Sequence, residues 1–152
     1  MSEAAATPLR FYVDADVLIA GAASASEHSA SRVLLTLSEI TLANAVTSER
    51  AVEECRRNLA AKFQEADRVI RRFETLMERS LDRVNNPSRA TVVRYREHAD
   101  WKDVSHLACA VEHGCSHLIT YNVRDYRPEE LPVEVVRPGL LVRRIRLRLA
   151  GM

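Results

Sequence analysis

The residues in this sequence that could do chemistry are carboxylates on segments that lie far apart along the chain. Arg10–Asp14 predicts a short, fully buried strand that ends at a carboxylate. Asp103 opens a predicted helix that leads into the strand His117–Thr120, and Asp125 follows that strand. Glu54 lies one to two turns into the helix after the second predicted strand. Because function gathers at the carboxyl ends of strands in open parallel sheets, we expect these four carboxylates to converge on one rim.

Carboxylates that share a cleft repel one another, and this repulsion raises their pKa values. A hard divalent cation screens the repulsion and takes oxygen ligands. Magnesium keeps several waters, needs only one or two direct carboxylates, and completes its shell with substrate phosphate. A carboxylate cluster without a histidine or cysteine ligand set therefore predicts phosphodiester chemistry with Mg²⁺ or Mn²⁺.

The elements that must position these carboxylates alternate between strand and helix. Further strands are predicted over Thr41–Thr47 and Pro132–Arg137. Helices are predicted over Asp16–Ala23, Ser29–Ile40, from Ser48 through Leu59, Phe63–Ser80, Ser88–Tyr95, Asp103–His113 and from Pro138 onward. This alternation predicts a three-layer α/β/α domain around a central, mostly parallel sheet. Residues 9–152 are expected to form one domain, after a disordered lead over 1–8.

The composition is that of a globular domain of ordinary size. The chain has 152 residues, of which 47% are hydrophobic and 28% are charged, so it can bury a core. Its cysteines, Cys55, Cys109 and Cys115, are odd in number and lack C-x-x-C spacing, which favours a reducing compartment. No run approaches the roughly 18 apolar residues of a membrane span. We therefore expect a cytoplasmic protein without membrane contact, and a net charge of +1 does not single out a nucleic-acid binder.

Five segments, in this order, resemble the motifs of PIN-domain proteins. F-Y-V-D-A-D-V-L resembles the opening motif, a strand that ends in aspartate. S-E-R-A-V-E-E-C-R-R-N-L resembles the second motif, whose glutamate precedes a leucine by five positions, which selects Glu54 over Glu49 or Glu53. D-W-K-D-V-S-H-L-A-C-A-V-E-H-G-C-S-H-L-I-T resembles the third motif, and T-Y-N-V-R-D-Y the fourth. V-E-V-V-R-P-G-L-L resembles the closing strand and helix, so the resemblance spans roughly Arg10 to Arg144.

The resemblance implies a metal-dependent endoribonuclease, similar to the toxin components of toxin–antitoxin pairs. It implies water attack on an RNA phosphodiester, with Thr120 and Asn122 assisting the metal site. It also implies a homodimer and a separate antitoxin chain that inserts a basic side chain at the acidic site. The residues to which it assigns metal binding, with Mg²⁺ or Mn²⁺, are Asp14, Glu54, Asp103 and Asp125.

Two positions depart from the family pattern. Asn122 stands where many relatives carry a further aspartate, which would weaken a second metal position. Asp16 stands where asparagine is common; it is expected to cap the following helix, or else to add negative charge to the site. Asp100 is expected to be an ordinary loop residue.

The carboxylates also fit ordinary structural roles. Asp14 could close a turn, Asp103 could favour the dipole of its own helix, Glu54 could be solvated, and Asp125 could cap a loop. A rival metal site would use His106, Cys109 and His113 on one helical face, with Cys115 and His117 following, at spacing that suits zinc. However, Cys109 lies in a buried alanine-rich run, where cysteine behaves as a small hydrophobic residue.

Two further features allow more than one interpretation. Trp101 could stack on a base, although such a residue more often only packs. A basic run near the C-terminus fits either a solvated helix face or a contact with RNA phosphates or an acidic partner peptide. The members of this run are Arg143, Arg144, Arg146 and Arg148.

Three hypotheses about function compete. The leading one is the metal-dependent endoribonuclease. The second is a phosphatase of the haloacid-dehalogenase type, because V-D-A-D-V-L mimics its D-x-D motif, but Lys102 directly before Asp103 is a poor substitute for the lysine that this chemistry needs. The third is a degenerate PIN module that binds RNA or a protein without cutting, which Asn122 favours mildly.

Overall fold

A sheet of five parallel strands lies at the centre of the fold, in a computed structural model that describes residues 9–23, 29–62, 64–127 and 129–151. The strand order is β3-β2-β1-β4-β5, so β1 is central, and Phe11 pairs with both Ala45 and His117. The strands are β1 (Leu9–Val13), β2 (Ala43–Ser48), β3 (Leu81–Val84), β4 (His117–Ile119) and β5 (Glu134–Val136).

Helices cover both faces of this sheet and complete a three-layer α/β/α arrangement. The side chains of β1 alternate between the two faces: Phe11 and Val13 pack in one apolar core, and Tyr12 packs in the other. Both cores are buried, which explains why the buried part of β1, Phe11–Val13, is a continuous apolar run. The first core takes side chains from α1 (Ala15–Ala23), α2 (Ala30–Glu39), α3 (Glu49–Lys62), α4 (Ala66–Ser80) and α7 (Pro138–Ala150). The second core takes side chains from α5 (Arg89–Tyr95) and α6 (Val104–Glu112).

The predicted fold class is confirmed, and most predicted elements appear with small shifts at their ends. Ser29 and Ser88 cap their helices, since the Ser29 side chain accepts from Arg32 N at 3.2 Å and the Ser88 side chain from Thr91 N at 3.3 Å. Pro138 is the first residue of α7, as predicted. Gly114, which follows the end of α6, has φ +68°, a conformation that glycine adopts without steric cost.

The sequence did not predict one strand. β3 lies at the edge of the sheet, and its two central residues, Asp82 and Arg83, are exposed, so it lacks the apolar run that marks the inner strands. The predicted helix Phe63–Ser80 begins at Ala66, and Phe63 itself lies outside the described residues. The predicted disordered lead over 1–8 also lies outside them, and the single domain over 9–152 stays a prediction. Within the described ranges, no helix combines the length and the apolar composition that crossing a membrane requires.

Candidate active site

Asp14 is held at the carboxyl end of the central strand. Its backbone N–H donates to the carbonyl of Ile119 at 3.1 Å, which ties it to β4. Its Oδ1 accepts from the N–H of Ala15 at 2.6 Å, and its Oδ2 accepts from the hydroxyl of Thr120 at 3.0 Å. The residue is 5% exposed. Asp14 is therefore a buried carboxylate in a fixed orientation, at the edge of the sheet where the sequence predicted it.

His106 brings Asp14 and Glu54 together. Its Nε2 lies 3.3 Å from Oδ1 of Asp14 and 3.4 Å from Oε2 of Glu54, and its ring is 1% exposed. One ligand atom from each of these three residues lies within 4.8 Å of the others. The three side chains come from different elements: Asp14 follows β1, Glu54 lies on α3, and His106 lies on α6. Sequence reasoning considered His106 only as a zinc ligand beside Cys109, and so missed this role.

Electrostatic interactions among Asp14, Glu54 and His106 shift the pKa values of Glu54 and His106. The pKa of Glu54 is lowered, first by its hydrogen bond with His106 and also by the neighbouring guanidinium of Arg50. Burial opposes protonation of His106, but the charges of Asp14 and Glu54 outweigh it and raise the pKa of the imidazole. The charged forms of Glu54 and His106 therefore stabilise one another.

A second group of carboxylates lies beside the first. Asp100, Asp103 and Asp125 each place one oxygen within 4.8 Å of the others. Their backbones are linked, since the N–H of Asp100 donates to the carbonyl of Asp125 and the N–H of Asp103 to the carbonyl of Asp100, both at 2.8 Å. Lys102 Nζ lies 3.5 Å from Oδ2 of Asp125. Asp100, expected to be an ordinary loop residue, thus belongs to the acidic cluster.

Asp103 couples the two groups electrostatically. Burial, and next the charge of Asp14, raise its pKa from 3.8 to about 6. Its Oδ2 is buried and finds no hydrogen-bond partner among the described residues. The carboxylate stands at the N-cap of α6 and makes no side-chain hydrogen bond to the helix, a position that also fits the alternative role of interacting with the helix dipole.

Asp16, Thr120 and Asn122 form a polar network at the same edge. Asp16 Oδ2 accepts from the N–H of Tyr121 at 2.9 Å and from the side-chain amide of Asn122 at 3.2 Å. The Thr120 hydroxyl lies 3.3 Å from the same oxygen. Helix α1 begins at Ala15, so Asp16 lies inside its first turn, and the expectation that Asp16 occupies the cap position is wrong. Burial, and next the charge of Asp14, raise the pKa of Asp16 to about 6.

The donor set fits a hard divalent cation. Two buried carboxylate oxygens, Asp103 Oδ2 and Asp16 Oδ1, have no hydrogen-bond partner in the described part of the chain, and each would gain from a nearby cation. The two possible metal-binding groups found there contain six residues, five of them carboxylates, and no cysteine. Oxygen-rich sets of this kind favour Mg²⁺ or Mn²⁺ over zinc.

The rival zinc set is not assembled. Cys109 and Cys115 are buried in the second core, and burial raises the pKa of the Cys109 thiol to about 12, which disfavours the thiolate that zinc requires. The ring of His113 lies 3.2 Å from the carbonyl of Asn85, and His117 lies 2.7 Å from the hydroxyl of Ser116. Of the proposed zinc ligands, His106 is the one whose ring reaches the carboxylates of the described site.

Cationic and aromatic side chains flank the carboxylates. Arg50 Nε lies 3.3 Å from Oε1 of Glu54, and Lys102 is the exposed partner of Asp125. Trp101, two residues before Asp103, is 88% exposed, and Tyr121 is also exposed. The site is therefore an acidic, partly buried centre, and exposed cations pair with two of its carboxylates.

Comparisons with known proteins agree with this arrangement. A family model described as the PIN domain matches residues 10–124. The fold is similar to the crystal structure of VapBC2 from Rickettsia felis bound to a DNA fragment from their promoter, with a TM-score of 0.64 and 11% identity over 85% of this chain and 98% of that chain. It is also similar to the crystal structure of PAE2754 from Pyrobaculum aerophilum, with a TM-score of 0.61 and 18% identity over 97% and 100% of the two chains. At these identities the structural likeness shows the fold alone. A search of curated proteins finds no match.

Proposed function

This chain belongs to the PIN-domain family, and on that premise we propose that it is a Mg²⁺- or Mn²⁺-dependent endoribonuclease that hydrolyses RNA phosphodiester bonds. One observation carries this proposal: Asp14, Glu54 and His106 lie close together at one edge of the sheet. Asp103 and Asp125 lie beside them. Separate segments of the chain contribute these side chains, and their burial is costly unless a cation or a substrate offsets it.

The residues that would hold the metal are Asp14, Glu54, Asp103 and Asp125. When bound, the cation would favour deprotonation of a water and offset the negative charge that develops on the phosphate. Thr120 would orient Asp14 through its 3.0 Å hydrogen bond. Asp16 and Asn122 would fix the loop after β4, because Asp16 accepts from the backbone of Tyr121 and from the Asn122 amide.

Side chains around the carboxylates would bind the RNA. Arg50 and Lys102 each pair with a site carboxylate, and both are more than one third exposed, so they are available to phosphates. Trp101 lies two residues before Asp103 with its indole exposed, and a base splayed out of a single strand can stack on such a ring.

The C-terminal arginines do not belong to this RNA-binding surface. Arg144 pairs with Glu134, the first residue of β5, so it lies at the amino edge of the sheet, opposite the carboxylates. Arg143, Arg146 and Arg148 are exposed on the same helix. These four arginines therefore form either a solvated helix face or a contact for an acidic partner.

We further propose that the protein is the toxin of a toxin–antitoxin pair. One structure with a similar fold, VapBC2, is bound to a DNA fragment from their promoter. The acidic site would accept a basic side chain from an antitoxin, because Asp103 and Asp16 have buried oxygens for which the described chain supplies no hydrogen bond. A homodimer and a cytoplasmic location belong to the same proposal.

The test is cleavage of structured, end-labelled RNAs by the purified full chain with Mg²⁺, with Mn²⁺ and with chelator. Each reaction is run beside Asp103→Asn and a matched control, Asp67→Asn, which removes an exposed carboxylate in the first turn of α4. Cleavage that needs metal, persists in Asp67→Asn and is lost in Asp103→Asn would support the proposal. Equal inertness of all three folded, partner-free proteins in every metal would refute it.

A non-cutting PIN module is the second candidate. Asn122 favours it, because its amide donates to Asp16 where a carboxylate would add a metal ligand. RNA binding that metal does not change, with no cleavage, would support this candidate. The phosphatase hypothesis has no support in the structure, because Lys102 is exposed and pairs with Asp125, and the family is PIN.

A further inference from the structure

His106 has an environment that an ordinary core histidine lacks. Its Nε2 faces two carboxylates, and its Nδ1 lies 2.7 Å from the hydroxyl of Tyr12. The ring is 1% exposed, so water does not compete for either nitrogen. A histidine held in this way is either a permanent internal counter-ion for the carboxylates or a ligand that shares a metal with them.

The hydrogen bonds behind the ring fit a ligand. The Tyr12 hydroxyl lies 2.8 Å from Oγ of Ser48, and that oxygen also accepts from the N–H of Ala51 at 3.1 Å. This chain allows Nδ1–H to donate to Tyr12 and Tyr12 to donate to Ser48, which leaves Nε2 as a lone-pair donor directed at the carboxylates. Metal-bound histidines are typically oriented by such a hydrogen bond on their second nitrogen.

The spacing of the three ligand atoms fits as well. The separations from Nε2 are 3.3 Å to Asp14 and 3.4 Å to Glu54. A charge-assisted hydrogen bond between an imidazolium and a carboxylate is usually shorter, at about 2.7–2.9 Å. Neighbouring ligands of an octahedral ion with bonds near 2.1 Å are about 3 Å apart. The observed separations exceed both values, and one ligand atom from each of the three residues lies within 4.8 Å of the others, so a single ion can contact all three.

We propose that Nε2 of His106 is a metal ligand together with Asp14 and Glu54, and that this nitrogen makes the site prefer Mn²⁺ to Mg²⁺. Mg²⁺ strongly prefers oxygen ligands, whereas imidazole stabilises first-row transition ions, and carboxylates keep Mn²⁺ a suitable partner. This inference rests on the metal site of the proposed function, but it concerns the identity of one ligand and not the reaction.

The test is pulsed electron paramagnetic resonance of Mn²⁺ added to the metal-free full chain. We expect a ¹⁴N coupling from a directly bound imidazole, replaced by a ¹⁵N coupling when the protein is labelled with ¹⁵N-histidine. His106→Gln should lose the coupling, and its ratio of Mn²⁺ to Mg²⁺ affinity should fall by about tenfold or more. The matched control is His113→Gln, which removes the histidine that caps the end of α6 and faces Asn85, and it should keep both properties.

The wild-type spectrum alone decides the matter if His106→Gln does not fold. Three outcomes would overturn the inference. The first is bound Mn²⁺ without a histidine coupling, the second is a coupling that survives in His106→Gln, and the third is the absence of any Mn²⁺ binding. A coupling in a protein that cuts no RNA would support the ligand and refute the ribonuclease. Metal-dependent RNA cleavage without a coupling would support the ribonuclease and leave His106 as an internal counter-ion, which overturns the inference.

Discussion

The hydroxyl of Tyr12 lies 2.7 Å from Nδ1 of His106, and this buried contact joins the central strand to helix α6. The same hydroxyl lies 2.8 Å from Ser48 at the end of β2. Tyr12 is fully buried, and burial is the main cause that raises the pKa of its phenol, so it stays a neutral hydrogen-bonding group. Tyr12 therefore helps to orient His106 toward the carboxylates, although Tyr12 makes no hydrogen bond to a carboxylate in the network described.

Tyr12→Phe should destabilise the protein without changing the charge of the site. The substitution leaves two buried groups, on His106 and Ser48, without their shared partner. We expect the free energy of unfolding to fall by roughly 1–3 kcal/mol, measured by urea denaturation in chelator. The control is Tyr95→Phe, at a half-buried tyrosine on α5, which should change the free energy of unfolding by less than about 0.5 kcal/mol. Equal stability of the wild type and Tyr12→Phe would contradict this role.

Asp103→Asn should stabilise the metal-free protein at pH 7.5. Burial, and next the charge of Asp14, raise the pKa of Asp103 to about 6, so the folded state carries an unfavourable charge at that pH. Replacement by a neutral amide removes this cost, and we expect the free energy of unfolding to rise by roughly 1–3 kcal/mol. The measurement is urea denaturation in chelator, with Asp67→Asn as the control. A variant less stable than the wild type would show that the charge is already compensated.

The stabilisation by Asp103→Asn should depend on pH in one direction. The pKa of Asp103 is higher in the folded protein, about 6, than its ordinary value of 3.8, so the folded state binds the proton more tightly. The stability that this proton supplies is fully present below pH 3.8 and is lost as the pH rises through about 6. The difference between variant and wild type should therefore be largest above pH 7 and shrink as the pH falls toward 4. A difference independent of pH would contradict the raised pKa.

Trp101→Ala should weaken RNA binding and leave the fold intact. The indole is 88% exposed, so its loss should change the free energy of unfolding by no more than about 0.5 kcal/mol. One lost base stack costs about 1–3 kcal/mol, or roughly 5- to 150-fold in affinity. The measurement is fluorescence anisotropy of a labelled single-stranded RNA in chelator, which prevents cleavage. Trp101→Phe keeps an aromatic face and should retain most of the affinity; equal binding by Trp101→Ala would rule out the stacking role.

The positions of the carboxylates were predictable because they depend on sheet topology. Asp14 follows an apolar strand, and Asp103 and Asp125 bracket β4, so a parallel sheet places all three at one edge. The edge strand β3 was not predictable in this way, because Asp82 and Arg83 interrupt its apolar pattern. Its place in the sheet comes from hydrogen bonds to β2, which leave no mark on the hydropathy of the sequence.

His106 shows where sequence reasoning reaches its limit. A histidine in the apolar face of a helix has the same local pattern whether it packs in a core or faces a metal. Its role depends on Tyr12 and Glu54, which lie on other elements and far away in the sequence. Asp100 is similar, since its link to Asp125 is a backbone contact between two segments that lie far apart in the sequence. Such contacts follow from the folded arrangement and not from spacing along the chain.

Divalent metal should raise the thermal stability of the wild type, because the cation binds the folded carboxylate cluster and not the unfolded chain. At about 100 times its dissociation constant, a ligand of this kind adds about 2.7 kcal/mol, which for a domain of this size corresponds to roughly 5–10 °C in Tm. The measurement is thermal unfolding with Mn²⁺ or Mg²⁺ at ionic strength matched with NaCl, and chelator should reverse the shift. The metal should raise the Tm of Asp103→Asn much less than that of the wild type, because this variant loses a ligand whose Oδ2 is buried. The Tm of Asp67→Asn should rise as much as that of the wild type. An equal shift in all three proteins would place the bound cation elsewhere on the surface, and no shift in any of them would contradict a metal site at this edge of the sheet.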